Sequence, residues 1–422
     1  MRGWYFLMIV TLLLTGCRVE DRQFTTYIPS EGIGDIAVRV TLPDEPRYKE
    51  GAPVVVYTPT FFTPENKFGK ADWVNEQGFI LVEFIWPGIQ DPQVGVKSDG
   101  TFDYGGEDSM QAFRDVILFA LNEKKNTNDE FLSDISYVEP LSDNVGLYAF
   151  SHPGIAATNV LAFYSEELEN VKYFVGRENP TIDKLSSVEV GQFEGDKKIL
   201  NPYYHYSEDY SSSDLSINYS TVHYDFSSDT IYFDANGNGK LDSLEYVLGE
   251  RVPQMFGKRF YSTDLTQALL DNDALNSSTW PEDLATVDDT KEVWPLRETP
   301  ESYPALAGSD IHVMLVFAET DHVQPARDKP HIHQAYDGFT DAGLWVRLNP
   351  DSVYVAAVSQ KFSDVVPDNV ANTEPSEWNT IEDWAYPNVL PLNLVPQAAI
   401  DEMADRVYTN TWDDDLTSVL VK

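Results

Sequence analysis

One serine in this chain sits where a nucleophile could. In NVGLYAFSHPGIAATNVLAFY, residues 144–164, an apolar run of strand type ends at Ser151, the turn holds Pro153 and Gly154, and an Ala/Leu/Phe-rich helical pattern follows at once. A serine at the apex of such a strand-turn-helix can hold its hydroxyl clear of the backbone, provided that small residues flank it two places away. Those places are Ala149 and Pro153, so the match to G-x-S-x-G is loose. The same turn would serve a helix N-cap equally well. A serine hydroxyl becomes a nucleophile only when an imidazole takes its proton and an acid orients that imidazole, so the reading turns on the histidines and acids elsewhere.

The histidines within reach follow a second strand-like run. FAETDHVQP, residues 317–325, carries Asp321 and His322, and after DKP come His331 and His333. The last two open a helical pattern at the end of a strand-loop, where a base for Ser151 could stand, but they could also cap the helix, bind a metal or face solvent. Spacing of i, i+2 on a helix points His331 and His333 to different faces, which argues against a shared ion.

DANGNGKLDSLE, residues 234–245, fits D-x-[DN]-x-[DN]-G-x5-E at every specified place. Alternate residues Asp234, Asn236 and Asn238 turn oxygens inward, Gly239 makes the sharp bend, Lys240 offers its carbonyl, Asp242 stands at the ninth position and Glu245 closes the shell with two oxygens. The pattern predicts a Ca2+ loop of EF-hand type. A strand-like DTIYF precedes it and a helical LEYVLG follows, which resembles the single calcium loops of exported proteins, dockerin modules among them. The expected role is to stiffen the surrounding segment, with modest affinity because two ligands are neutral.

The elements that would position these groups alternate. Residues 24–42 read as an antiparallel hairpin at a sheet edge, and 52–58 as a strand buried on both faces. A loop, a helix around 70–77 and a strand at 78–86 then complete a βαβ unit. Residues 108–122 form an amphipathic helix with acids at its start, and 171–176 a further strand after the serine's helix. SDGTFDYGGED, residues 98–108, reads as a loop over the sheet. A Tyr-, Ser-, Asp- and Asn-rich stretch with short helical pieces such as 262–272 then interrupts the pattern, and an insertion of that length is expected to cap the strand ends. The sheet resumes at 311–318, passes a helix around 332–339 and ends at 344–348. The expected organisation is a signal peptide over 1–17, a first sheet part over 18–180, a cap over 181–305, a second sheet part over 306–365 and a tail over 366–422.

This order resembles the α/β-hydrolase fold, in its esterase and prolyl-oligopeptidase-like branch, over residues 36–180 and 306–360. The resemblance rests on the turn at Ser151, the strand-loop at 52–62 and FAETDHVQP. It implies an α/β fold, a mostly parallel doubly wound sheet with a large cap insertion. It also implies Ser151 as nucleophile, the His152 backbone N–H as an oxyanion donor, Asp321 as the acid, and hydrolysis of an ester or, second, a peptide bond in a small-molecule or peptide substrate. The family's base follows the last strand, where this chain has Ser352, Val353 and Tyr354, so His331 and His333 are the candidates to replace it. TPTFF, residues 58–62, also lacks the glycines usual in the oxyanion loop. These departures keep open a catalytically silent, calcium-binding hydrolase fold retained as a surface binding or scaffold protein.

The N-terminus has Arg2 followed by an apolar stretch too short to span a bilayer, ending in Leu14-Thr15-Gly16-Cys17. This resembles a bacterial lipobox, and Cys17 is the one cysteine in the chain. It predicts an exported protein anchored through lipidated Cys17, with Arg18 pointing to the outer membrane or cell surface. The 422 residues carry 69 acidic and 29 basic side chains, a formal charge of −40 that excludes nucleic acid and anionic lipid as electrostatic partners and suits divalent cations.

Overall fold

The computed structural model describes residues 22–62, 67–69, 71, 73–195, 197–205, 215–318, 321–326, 328–362 and 393–412. Cys17 and the rest of residues 1–17, expected as a signal peptide, lie outside the described residues.

Eight strands form the central sheet: β1 (Gln23–Ser30), β2 (Gly34–Thr41), β3 (Ala52–Tyr57), β4 (Ile80–Phe84), β5 (Pro140–Phe150), β6 (Val171–Arg177), β7 (His312–Val316) and β8 (Trp345–Leu348). Their spatial order is β1-β2-β4-β3-β5-β6-β7-β8. β1 and β2 form the expected edge hairpin and β2 runs antiparallel to β4, while every pair from β4 to β8 is parallel. This is the strand order of an α/β-hydrolase fold, with chain reversals at the edge and crossovers through helices elsewhere.

The β-branched run in β3 shows why the sheet must be covered twice. Val54 and Val56 join one apolar cluster, Val55 the other, and all three are fully buried. Val313 and Leu315 of β7 face the first cluster, Met314 and Val316 the second, as period-two alternation requires. Helices α1 (Glu107–Ala120), α2 (Pro153–Phe163) and α4 (Pro330–Asp341) cover the first face. α5 (Ser352–Phe362) and α6 (Leu394–Thr409) cover the second. Asp103, in the loop read from SDGTFDYGGED, caps α1 by accepting from the N–H groups of Gly106 and Asp108.

Two local expectations are corrected. Between β3 and β4 the described residues hold a single 3-10 turn, Asn75–Gln77, stopped by Gly78 at φ +89°, rather than a helix from 70 to 77. Residues 244–249 do not form a helix: Tyr246–Val247 is a strand paired with Thr230–Phe233, because Tyr246 fills the cluster built on Phe233. The segment from 366 onward also supplies a long buried helix to the sheet, α6, clamped by Arg47, whose guanidinium takes both oxygens of Asp405 at 2.7 and 2.8 Å.

Between β6 and β7 the chain builds its own apolar cluster, from Leu185 and Val190 through Phe233 and Tyr246 to Leu265 and Leu284. It includes α3 (Thr263–Asp271), whose N-cap Ser262 accepts from the N–H of Leu265. Among the described residues no helix is long and apolar enough to cross a membrane.

Candidate active site

Ser151 directly follows β5 and has φ +68°, the left-handed region that a non-glycine residue enters at a cost of about 1–2 kcal/mol. Three contacts hold it there. Its N–H donates to Arg177 O at 2.8 Å, its carbonyl accepts from Gly154 N at 2.9 Å, and the Asn179 amide donates to that carbonyl at 2.7 Å. Asn179 also reaches Arg177 O at 3.0 Å and Ala149 O at 3.3 Å, stitching the turn to the end of β6. Gly154 is needed for this packing rather than for its dihedral: a Cβ there would lie 2.0 Å from Asn179 Cγ. Pro153 is accommodated at the first turn of α2, where its missing N–H costs no hydrogen bond.

Parallel register then decides what stands next to the serine. Phe150 of β5 is level with Arg177 of β6, and Arg177 with Val316 of β7. The residue after each strand therefore emerges at the same edge of the sheet: Ser151 after β5 and Glu178 after β6, with His322 a few residues beyond β7. Glu178 is also left-handed, at φ +48°, and its N–H donates to Val316 O at 2.9 Å. Two strained non-glycine residues side by side at strand ends mark a place the fold holds against local preference.

His322 faces the serine's cavity and has a carboxylate partner. Its Nδ1 lies 2.5 Å from Glu178 Oε2, and its ring packs on Phe150 at 4.7 Å between centroids. Glu178 is buried, so its charge is poorly screened. With Nδ1 donating to the carboxylate, Nε2 is left as the proton acceptor, and among the described residues nothing else bonds it.

The placement of His331 and His333 corrects the sequence expectation. His331 is fully buried, with Nε2 2.8 Å from Asp321 Oδ2, and His333 is buried beside it on α4. Neither lines the cavity that holds Ser151. The chain enters α4 through Lys329 at φ +42° and Pro330, and the first turn, which carries both histidines, is buried in the core. Asp321 is paired with His331 rather than presented to the serine, and its Oδ1 accepts from the N–H groups of Val323 and Gln324 at 2.7 and 3.3 Å. Burial opposes the charge on Asp321, but the neighbouring His331 holds its carboxyl well below the usual range. One oxygen of Asp321 nonetheless comes within 4.8 Å of the ligand atoms of both Glu178 and His322, so it adds a second negative charge behind the imidazole. After β8, where a histidine would ordinarily be sought, Asn349 is buried and accepts from Phe317 N at 3.0 Å, fixing β7 to β8.

The cavity of about 430 Å³ over these groups is lined by Thr60 and Phe62 from the loop after β3, by Ser151, His152 and His322, and by residues 185–188, 191–193 and 249–253 from the segment between β6 and β7. Among the described residues the His152 N–H makes no hydrogen bond, which leaves it available to an oxyanion. The His152 side chain is the only one within hydrogen-bond reach of Ser151 Oγ among the described residues, at a long 3.4 Å to Nδ1. It is a poor base: burial first, then the nearby His322, push it down to about 3. No carboxylate orients it, its Nε2 facing Ser186 O at 3.4 Å instead.

Glu178 was not legible in the sequence. The available signal, an acid immediately after the strand that follows the serine's strand, becomes informative only once β5 and β6 are known to be neighbours in that register.

The loop at residues 234–245 folds around its first carboxylate. Asp234 is buried and accepts from the N–H groups of Gly237, Asn238 and Gly239, the glycines having φ +69° and +67°. Those backbone donors hold Asp234 below its ordinary value against the opposing effect of burial. Asp242 Oδ2 and Glu245 Oε1 converge on the Asn236 side-chain amide at 2.9 and 3.0 Å. Asn238 Nδ2 also donates to Asp242 Oδ2 at 3.4 Å. Carboxylates and side-chain amides gathered at one place are the oxygen-donor set a hard divalent cation takes, and an amide can present oxygen or nitrogen at the same place, so these residues fit a Ca2+ ion.

No protein-family model matches the chain, and no curated protein matches it by sequence. Solved structures similar to it include a Pyrobaculum calidifontis esterase at 12% identity and TM-score 0.42, covering 93% of this chain and 87% of that one. A bacterial heroin esterase matches at 13% and 0.39, covering 79% and 76%. Dipeptidyl peptidase 4 of Porphyromonas gingivalis matches at 7% and 0.37, covering 77% of this chain but 31% of the peptidase. Likenesses this distant name no activity, and the α/β-hydrolase fold of this chain rests on its own strand order and register.

Proposed function

We propose that this chain is a serine hydrolase of carboxylic esters, with Ser151 as nucleophile, His322 as general base and Glu178 as the acid that orients it. The observation that carries the proposal is the His322–Glu178 pair opening on the same cavity as a strained serine at the end of the neighbouring strand. In this reading Nε2 of His322 takes the Ser151 proton as Oγ attacks the ester carbonyl. The His152 N–H, with a donor from the loop after β3, holds the oxyanion. The imidazolium then protonates the departing alcohol, and a water deprotonated by the same Nε2 releases the acid and restores Ser151. Peptide bonds are the second choice of substrate.

The proposal extends to a chain exported and tethered through lipidated Cys17, with Ca2+ held by Asp234, Asn236, Asn238, the Lys240 carbonyl, Asp242 and Glu245. Bound there, the ion would neutralise converging carboxylates and tie residues 234–245 together. The alternative, a silent fold with a binding role, is favoured by one observation: Ser151 Oγ has no direct hydrogen bond to His322.

A fluorophosphonate probe separates the two. Labelling of the wild-type chain that is lost in both Ser151→Ala and His322→Ala, and kept in folded His333→Ala, supports the enzyme. Absence of labelling with Ca2+ present sinks it.

A further inference from the structure

The charged groups around the cavity point to a class of substrate, an inference that rests on the hydrolase reading. In a chain of formal charge −40 an arginine normally finds a carboxylate, and many of the described arginines do so: Arg22 with Asp44, Arg39 with Glu83, Arg47 with Asp405, Arg114 with Asp115, Arg259 with Asp229, Arg406 with Glu402, while Arg177 lies over the Phe150 ring. Arg297 instead binds the carbonyls of Asp103, Tyr104 and Val293. Arg251 is different. It is exposed, and among the described residues it has neither an ion pair nor a hydrogen bond, yet it lines the cavity that holds Ser151 and His322. Its charge is felt at the His152 ring beside the nucleophile, where it helps to keep that imidazole neutral.

An unpaired guanidinium at this place has a chemical use. The chain's overall field repels anions, so an anionic substrate needs a local cation to enter and be held, and a planar guanidinium takes a carboxylate or phosphate through two parallel hydrogen bonds. The apolar wall of Phe62, Phe150, Leu185, Val188 and Val252 lowers the local dielectric and strengthens that contact. Glu250 lines the same cavity but only accepts hydrogen bonds, so it opposes an anion and helps to confine it to Arg251.

We propose that Arg251 is a specificity residue that selects esters whose acyl or alcohol part carries a carboxylate or a phosphate. The test uses matched pairs: ethyl hydrogen adipate against ethyl hexanoate, and 1-acetylglycerol 3-phosphate against 1-acetylglycerol. With Arg251→Gln, kcat/KM should fall about five- to tenfold for the anionic member of a pair and stay within about twofold for the neutral one. Arg251→Glu should deepen the loss, and Glu250→Gln should raise the anionic value. The pair that responds tells carboxylate from phosphate. Equal losses on charged and neutral esters, or none on either, overturn the proposal. Equilibrium binding to Ser151→Ala protein, which cannot turn over, keeps this separate from the hydrolase reading. Ethyl hydrogen adipate or 1-acetylglycerol 3-phosphate should bind it and lose that binding in Ser151→Ala/Arg251→Gln. Unchanged binding of both counts against Arg251 whether or not the wild type hydrolyses any ester.

Discussion

Replacing Glu178 by glutamine tests which carboxylate serves the imidazole. The carboxylate accepts the Nδ1 proton of His322 at 2.5 Å and is only 4% exposed. As His322 becomes an imidazolium in the transition state, the two charge centres stand about 4 Å apart, worth about 4 kcal/mol at an effective dielectric of about 20. Removing the charge therefore costs on the order of 10³ in kcat at about 1.4 kcal/mol per decade. A glutamine amide that donates to Nδ1 would also place the proton on Nε2, the tautomer that cannot accept from Ser151, taking the loss toward about 10⁴. KM for a neutral ester should hold, because Glu178 does not line the cavity. Asp321→Asn is the control. It breaks a fully buried charged hydrogen bond to His331, so it should lower stability by about 2–3 kcal/mol but reduce kcat by no more than about tenfold, because Asp321 acts on His322 only from behind. Steady-state hydrolysis of p-nitrophenyl butyrate together with thermal melts measures both. If Asp321→Asn loses 10³ or more while Glu178→Gln stays active, the assignment of the acid is wrong.

Three further outcomes follow from the structure. Chelation with EGTA should lower the melting temperature, and Glu245→Gln should remove that response; identical melts with and without Ca2+ would rule out a stabilising ion at residues 234–245. Arg47→Met should cost about 3–5 kcal/mol in chemical denaturation, because it leaves the buried carboxylates Asp405 and Asp401 of α6 without their cation; a loss below about 1 kcal/mol would show that the clamp is dispensable. Glu189 is fully buried beside Tyr219 and Ser262, and burial raises its carboxyl to about 7. With its folded value above the unfolded one near 4.5, its contribution is complete below about pH 4.5 and is lost as the pH rises through about 7. Melting temperature should therefore fall from pH 5 to pH 8 more steeply in wild type than in Glu189→Gln, and parallel curves would contradict this.

Much of the scaffold was already decided along the chain. The β-branched run in β3 can only be a strand covered on both faces, and the apolar pattern of 108–122 can only be a helix with one buried stripe, realised as Glu107–Ala120. The strand-turn-helix at Ser151 and the alternating oxygen donors of residues 234–245 were equally local, because each depends on spacing within a dozen residues. The partners of Ser151 were not local. Glu178 and His322 lie 27 and 171 positions from Ser151 along the chain, and only the parallel register of β5, β6 and β7 brings their loops to one edge. Their place at the start of a helix after the strand-loop favoured His331 and His333, but both are buried in the core beyond the backbone turn at Lys329, while His322 packs onto Phe150. Local patterns fix which residues form each element, since hydrogen bonding and periodic burial are short-range. Which side chain meets which hydroxyl was decided by the stacking order of strands, a property that no single stretch of sequence contains.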